Sequence, residues 1–262
     1  MTENSKVLAL KYRPQVFEDL IGQEVIAETI KNSVISDKAA NAFLFTGIRG
    51  VGKTTFARIV AKALNCENGV ENLCKKNFCE HCNSIVNSNH IDVLEMDAAS
   101  KTGVDDVREL IEFSRYGPTT AKYKIFIIDE VHMLSKQAFN ALLKTLEEPP
   151  KYLKFIFATT EIKKIPVTVI SRCQRFDLSR VKSEELFKYI KMIIRDEILY
   201  DEQRPFIPSI IFSEFVSSNT HKIVIGILNM AKSIVLLIDA NVISLIIIFV
   251  SRIQNKNIEN DK

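Results

Sequence analysis

The run Ala42-Phe43-Leu44-Phe45-Thr46-Gly47-Ile48-Arg49-Gly50-Val51-Gly52-Lys53-Thr54-Thr55 joins an apolar strand to the start of a helix through a glycine-rich turn. Gly47, four intervening residues and then Gly52-Lys53-Thr54 have the spacing of a phosphate-binding loop, and the flanking strand and helix supply the context that spacing needs. Glycines allow backbone N–H groups to turn inward, where they and the positive end of the helix surround a β-phosphate. Gly47, Gly50, Val51, Gly52, Lys53, Thr54 and Thr55 are therefore candidate nucleotide contacts. Lys53 is placed to bridge β- and γ-phosphate oxygens, and the Thr54 hydroxyl to ligate Mg²⁺. An ordinary glycine-rich turn is the plain alternative, and the flanks weigh against it.

A second run, Lys124-Ile125-Phe126-Ile127-Ile128-Asp129-Glu130, reads as a strand buried on both faces that delivers two carboxylates at its carboxyl end. That end is where parallel sheets bind ligands. Asp129 suits the Mg²⁺ hydration shell, and Glu130 the orientation of an attacking water. Lys154 to Ala158 reads as another buried strand, ending in Thr159-Thr160, where a hydroxyl can sense a γ-phosphate. Ile91 to Asp97 alternates as a strand does, and a last short strand is expected from Arg175 to Leu178. Helices are expected over 24–36, from the phosphate loop to Asn65, over 105–115, from an N-cap at Ser135 to Pro149-Pro150, and from Ser183 to about Tyr200.

Cys66, Cys74, Cys79 and Cys82 cluster on a segment read as a loop between helices. Four thiolates at these spacings suit a tetrahedral structural zinc, the closing pair forming a chelating knuckle. Unligated cysteines are the alternative; His81, inside the knuckle, could replace a cysteine but is expected to be a solvent-facing spectator. Upstream, Tyr12-Arg13-Pro14 and Ile21 lie in a loop that either walls an adenine ring or simply packs. Lys136, Asn140 and Lys144 form a polar stripe at helical spacing, ordinarily a solvated face.

The 262 residues, 47% hydrophobic and 26% charged, can build a folded core with a smaller companion. A net charge of +3 is close to neutral, so a nucleic-acid contact would need a local patch. The polar amino terminus carries no signal peptide, so a cytoplasmic location is expected. The division expected is a nucleotide-binding domain over 1–178 containing a zinc module at 66–82, a helical lid over 179–250, and a polar tail over 251–262. The apolar window 234–250 is broken by Asp239 and Asn241, so a buried helix is expected there and no membrane span.

Together these motifs resemble the AAA+ ATPase subunit of the bacterial sliding-clamp loader, the gamma/tau subunit of DNA polymerase III. The matching runs include Tyr12-Arg13-Pro14, Ile21-Gly22-Gln23-Glu24, the phosphate loop, Leu64-Asn65-Cys66, Asp97-Ala98-Ala99-Ser100, Ile128 to Ser135, Phe139 to Pro150 and Ser171-Arg172-Cys173. The resemblance covers about residues 7–200. It implies an α/β AAA+ P-loop fold with a parallel central sheet, a zinc-binding loop module and a small α-helical lid. It implies ATP, Mg²⁺ and Zn²⁺ as cofactors, and other clamp-loader subunits, the sliding clamp and primer-template DNA as partners. Tyr12, Arg13, Pro14 and Ile21 look like adenine-side contacts, Asp129 and Glu130 like Walker B, and Thr160 like sensor 1. Arg172 looks like an arginine finger completing a neighbouring subunit's site. Lys101, Lys136 and Lys144 resemble positions that face the DNA backbone. Two departures stand out: Val224 occupies the place of the sensor 2 arginine, and the chain stops at 262, before a collar domain.

Overall fold

The computed structural model describes residues 8–100 and 103–202. Five parallel strands, β1 (Ala42–Thr46), β2 (Val93–Asp97), β3 (Lys124–Asp129), β4 (Leu153–Thr159) and β5 (Gln174–Asp177), form one sheet in the order β2-β3-β4-β1-β5. β1 and β4 are buried along their whole length, and β3 along all but its last residue, as unbroken apolar runs in a parallel sheet should be. Side chains alternate between two cores. Phe43, Phe45, Ile125 and Ile127 face the layer built by α2 (Glu24–Ile35) and α3 (Lys53–Asn65). Leu44, Phe126, Ile128 and Phe155 face α5 (Val104–Ser114) and α6 (Lys136–Glu147). α6 starts as its sequence dictates, with Ser135 Oγ accepting from Ala138 N–H at 3.2 Å.

Register brings the ends of the strands level. Thr46 pairs with Thr159 and with Asp177, and Asp97 pairs with Asp129, so all the residues that follow these positions emerge on one edge. The opposite edge is held by buried polar groups. Lys124 Nζ donates to the carbonyls of Phe113 and Tyr116 at 3.0 and 2.9 Å. Lys154 Nζ donates to the Ala39 carbonyl and to Asn41 Oδ1, both at 2.9 Å. Asp92, fully buried, accepts from the N–H groups of Thr119, Thr120 and Ala121 at 2.8 to 3.0 Å.

Three short helices escaped the periodicity: α1 (Leu8–Lys11), α4 (Glu80–Val86) in the cysteine segment and α7 (Val167–Ile170) before β5. Each is shorter than the apolar repeat needed to register one.

The chain divides into two units. Pro14–Val181 carries the sheet. The other unit contains the short helix α1 (Leu8–Lys11), Tyr12 and Arg13, together with α8 (Ser183–Glu202); within it the Tyr189 hydroxyl donates to the Tyr12 carbonyl at 2.8 Å. Lys101, Val224, the apolar window 234–250, the tail 251–262 and the expected lid beyond 202 lie outside the described residues. Among the described residues no helix is long and apolar enough to cross a membrane.

Candidate nucleotide site and cysteine cluster

The loop from β1 to α3 has the backbone that its glycines permit. Gly47, Gly50 and Gly52 have φ of +150°, +82° and +97°. A Cβ on Gly47 would lie 2.8 Å from the Leu178 carbonyl oxygen and 3.1 Å from Val51 Cγ1, so this position admits no side chain without movement of backbone. Half-buried Val51 packs onto the core beneath the loop. Lys53 opens α3 and is 6% exposed; its Nζ donates to the carbonyls of Gly47 and Ile48 at 3.0 and 3.1 Å. Burial holds its ammonium below the ordinary lysine range, opposed by the nearby carboxylates of Glu130 and Asp129. Half-buried Thr55 follows in the same turn.

Opposite this turn, the end of β3 brings its carboxylates in. The Thr54 hydroxyl donates to Asp129 Oδ2, and Asp129 Oδ1 accepts from Glu130 N–H at 2.9 Å. A hydroxyl and a carboxylate side by side, with a lysine near, form an oxygen donor set suited to a hard divalent cation. Glu130 sits in the left-handed region, φ +46°, which turns its carboxylate towards the tip of β4, where Glu130 Oε2 accepts from the Thr160 hydroxyl at 3.2 Å. Lys53, Thr54, Asp129, Glu130 and Thr160 thus meet at one edge.

Other expected residues stand elsewhere. Arg172 precedes β5, whose first residue pairs with Phe43 near the start of β1, so it lies towards the opposite edge from the phosphate loop. It is engaged with Glu147 Oε1 and the Thr168 carbonyl, both at 2.5 Å. Lys136 and Lys144 are exposed on α6. Pro14 and Ile21 are half-buried in the unit that carries the sheet, whereas Tyr12 and Arg13 belong to the other. Next to Ile21, a residue given no role from sequence is fixed: buried Gln23 donates through Nε2 to the Ser179 carbonyl at 2.5 Å and accepts from Ser179 N–H at 3.3 Å. His132, beside Glu130, also has no role from sequence; of the expected pair Thr159-Thr160, the Thr160 hydroxyl faces Glu130 and the Thr159 hydroxyl faces the His132 ring at 3.1 Å.

The four cysteine sulfurs all lie within 4.8 Å of one another, with Cys66 and Cys74 3.6 Å apart. A ZnS₄ tetrahedron with Zn–S near 2.3 Å needs edges of about 3.8 Å, so this set fits the ion. Cys79 is the N-cap of α4, and Cys82 lies within its first turn. The backbone N–H groups of Cys79 and Cys82 point at the sulfurs of Cys74 and Cys79, each at 3.5 Å. Burial pushes the Cys74 thiol up, but the Cys79 N–H, the side chains of Cys66 and Cys79 and the Asn68 amide outweigh it and hold the group at about 7. Burial pushes Cys82 far up. Lys62, 1% exposed, donates to the carbonyls of Cys74 and Gln15 at 3.0 and 2.8 Å, a cation beside the sulfurs. Its position four residues before Cys66 on a helix was the legible signal. His81 departs from expectation: its side chain is largely enclosed and its Nδ1 lies 2.9 Å from His90 Nε2, because α4 turns it inwards.

A glycine turn, a buried lysine and a paired carboxylate end, on a parallel sheet with this strand order, define the AAA+ P-loop fold. The sequence model of the family described as "DNA polymerase III, delta subunit" matches residues 22–182, more than half of the chain. The DNA polymerase III subunit gamma of Buchnera aphidicola subsp. Baizongia pistaciae is 49% identical over 74% of this chain and 52% of its own length. The subunit tau of Bacillus subtilis is 50% identical over 73% of this chain and 34% of its own. A solved DNA polymerase III gamma subunit-related protein of Thermotoga maritima is 27% identical, covering 60% of this chain and 46% of its own, with a TM-score of 0.43. The chain belongs to this family of DNA polymerase III subunits, on its gamma/tau branch. It spans about half the length of the gamma subunits it matches, and less of the tau subunits.

Proposed function

We propose that this chain is an ATP-driven clamp-loader subunit of the replicative DNA polymerase, binding and hydrolysing ATP to load a sliding clamp on primed DNA. The observation that carries it is the convergence of Lys53, Thr54, Asp129, Glu130 and Thr160 on one sheet edge, in a member of the gamma/tau family. In this reading the loop backbone and Lys53 hold the β- and γ-phosphates. Thr54 and Asp129 would hold Mg²⁺, which supplies charge neutralisation on the phosphate oxygens when bound. Glu130 orients the attacking water and Thr160 reports the γ-phosphate. Tyr12, Arg13, Pro14 and Ile21 form the adenine side. Arg172 serves a neighbouring subunit's site, since its own phosphate loop leaves from the other edge. Lys136 and Lys144 on exposed α6, with Lys101, contact the phosphates of primer-template DNA. The four cysteines would hold a structural zinc, and a helical lid over 179–250 follows the nucleotide domain over 1–178. Cytoplasmic partners are the other loader subunits and the clamp.

A second reading, a subunit that holds nucleotide without turnover, draws on Val224 in the place of an arginine. One experiment separates them: ATPase activity of the full chain with partner subunits, clamp and primed DNA. Stimulated turnover is expected. Lys53→Ala should abolish ATP binding, and Arg172→Ala should leave binding intact while lowering assembly turnover by about 10³-fold or more. Tight ATP binding with no turnover establishes the second reading instead.

A further inference from the structure

One enclosed side chain at the nucleotide edge has no part in the scheme above. His132 lies on the turn Val131–Met133 that follows β3, with a side chain 6% exposed. Its Nδ1 is 3.1 Å from Thr159 Oγ1 and 3.4 Å from Glu130 Oε2, and its Nε2 is 3.6 Å from Glu161 Oε1. Thr159, fully buried at the end of β4, already accepts from Glu161 N–H at 3.0 Å. A single flat ring therefore stands between the turn carrying Glu130 and the strand tip carrying Thr159, Thr160 and Glu161.

Glu130 needs such support. Its backbone is left-handed at φ +46° and ψ 42°, a conformation a residue with a Cβ keeps only where its surroundings hold it. The Thr160 hydroxyl reaches Oε2 from one strand, and the imidazole approaches the same oxygen from the glutamate's own turn. With the proton on Nδ1, the ring offers a donor to Oε2 and to the second lone pair of Thr159 Oγ1. An imidazole has few rotatable bonds and is packed here, so it locks both strand tips at little entropic cost.

We propose that His132 is a positioning residue: it fixes the Glu130 carboxylate relative to the Thr159-Thr160 tip, so that the glutamate meets the attacking water in one orientation. This rests on the hydrolysis reading above. It acts on orientation, so it should move kcat and leave ATP affinity alone.

The test uses the full chain reconstituted with partner subunits, clamp and primed DNA. His132→Ala should lower kcat by about 10- to 100-fold, with KM for ATP within about twofold. His132→Asn, whose amide N–H stands near the place of Nδ1, should recover most of that loss. In a Glu130→Gln background, His132→Ala should cost nothing further, because the group it positions is gone. Wild-type kcat in His132→Ala, alongside an inactive Glu130→Gln, overturns the positioning role and leaves the hydrolysis reading standing. So do multiplying losses in the double variant, or a fall in kcat that His132→Asn fails to restore. An unmodified assembly that binds ATP without turnover overturns both.

Discussion

At Gly47 the need for glycine is met twice. Its φ of +150° is open to few other residues, and its α-carbon faces the Leu178 carbonyl so closely that a methyl group would sit 2.8 Å from it. The loop and the segment leaving β5 cannot both keep their places once a Cβ is added. Gly47→Ala should therefore destabilise the domain by about 1–3 kcal/mol and weaken nucleotide binding. Thermal melting with and without ATP checks both. At Gly52 the case is different: nothing lies within 4 Å of a Cβ, and the demand comes from φ of +97° alone. Both glycines were legible as motif letters, but the distinct reasons for them needed coordinates. Lys53 shows the same limit. The motif marks the residue, whereas its bonds to the loop carbonyls and its burial appear only in the fold.

The strands and long helices of the sheet domain were readable because their apolar patterns are strong. Asp129 and Glu130 fell at the end of β3 because the apolar run stops there. What sequence hid is the polar stitching at the opposite edge, where strand starts carry lysines and acids that a periodicity reading assigns to solvent. Asp92 is the clearest case. Burial pushes its carboxyl up, but the backbone N–H groups of Thr119, Thr120 and Ala121 outweigh that and hold it below the ordinary value. A carboxyl depressed on folding stabilises the fold above its unfolded value, about pH 4, and loses that stabilisation as pH falls through the folded one. Asp92→Asn places an amide against three backbone donors and the Thr120 hydroxyl, so it should cost about 1–3 kcal/mol at pH 7. The gap between variant and parent should narrow as the pH falls below about 4, as followed by chemical denaturation at acid pH.

Across the whole molecule, α3 ties two centres together, with Lys53 in its first turn and Lys62 and Asn65 in its last. Thirteen residues at 1.5 Å each make a rod of about 20 Å between the phosphate loop and the cysteine cluster. If the cluster holds zinc, purified chain should contain one ion, and Cys82→Ser should lower that content. Stripping the metal with a strong chelator should lower the melting temperature by several degrees, because the segment 66–82 loses its tie. Metal analysis and a thermal melt decide it.

Arg172, set towards the far edge from its own phosphate loop, carries a stoichiometric consequence. On the proposed reading each copy owns half of two catalytic chambers: it lends a lysine to one and an arginine to the next. A closed circle of copies would then have as many working chambers as members, and an open arc one fewer. A single dead copy seated in the middle would silence both its neighbours' contributions at the junctions it touches, so mixing inert with intact chains should depress turnover faster than dilution alone predicts.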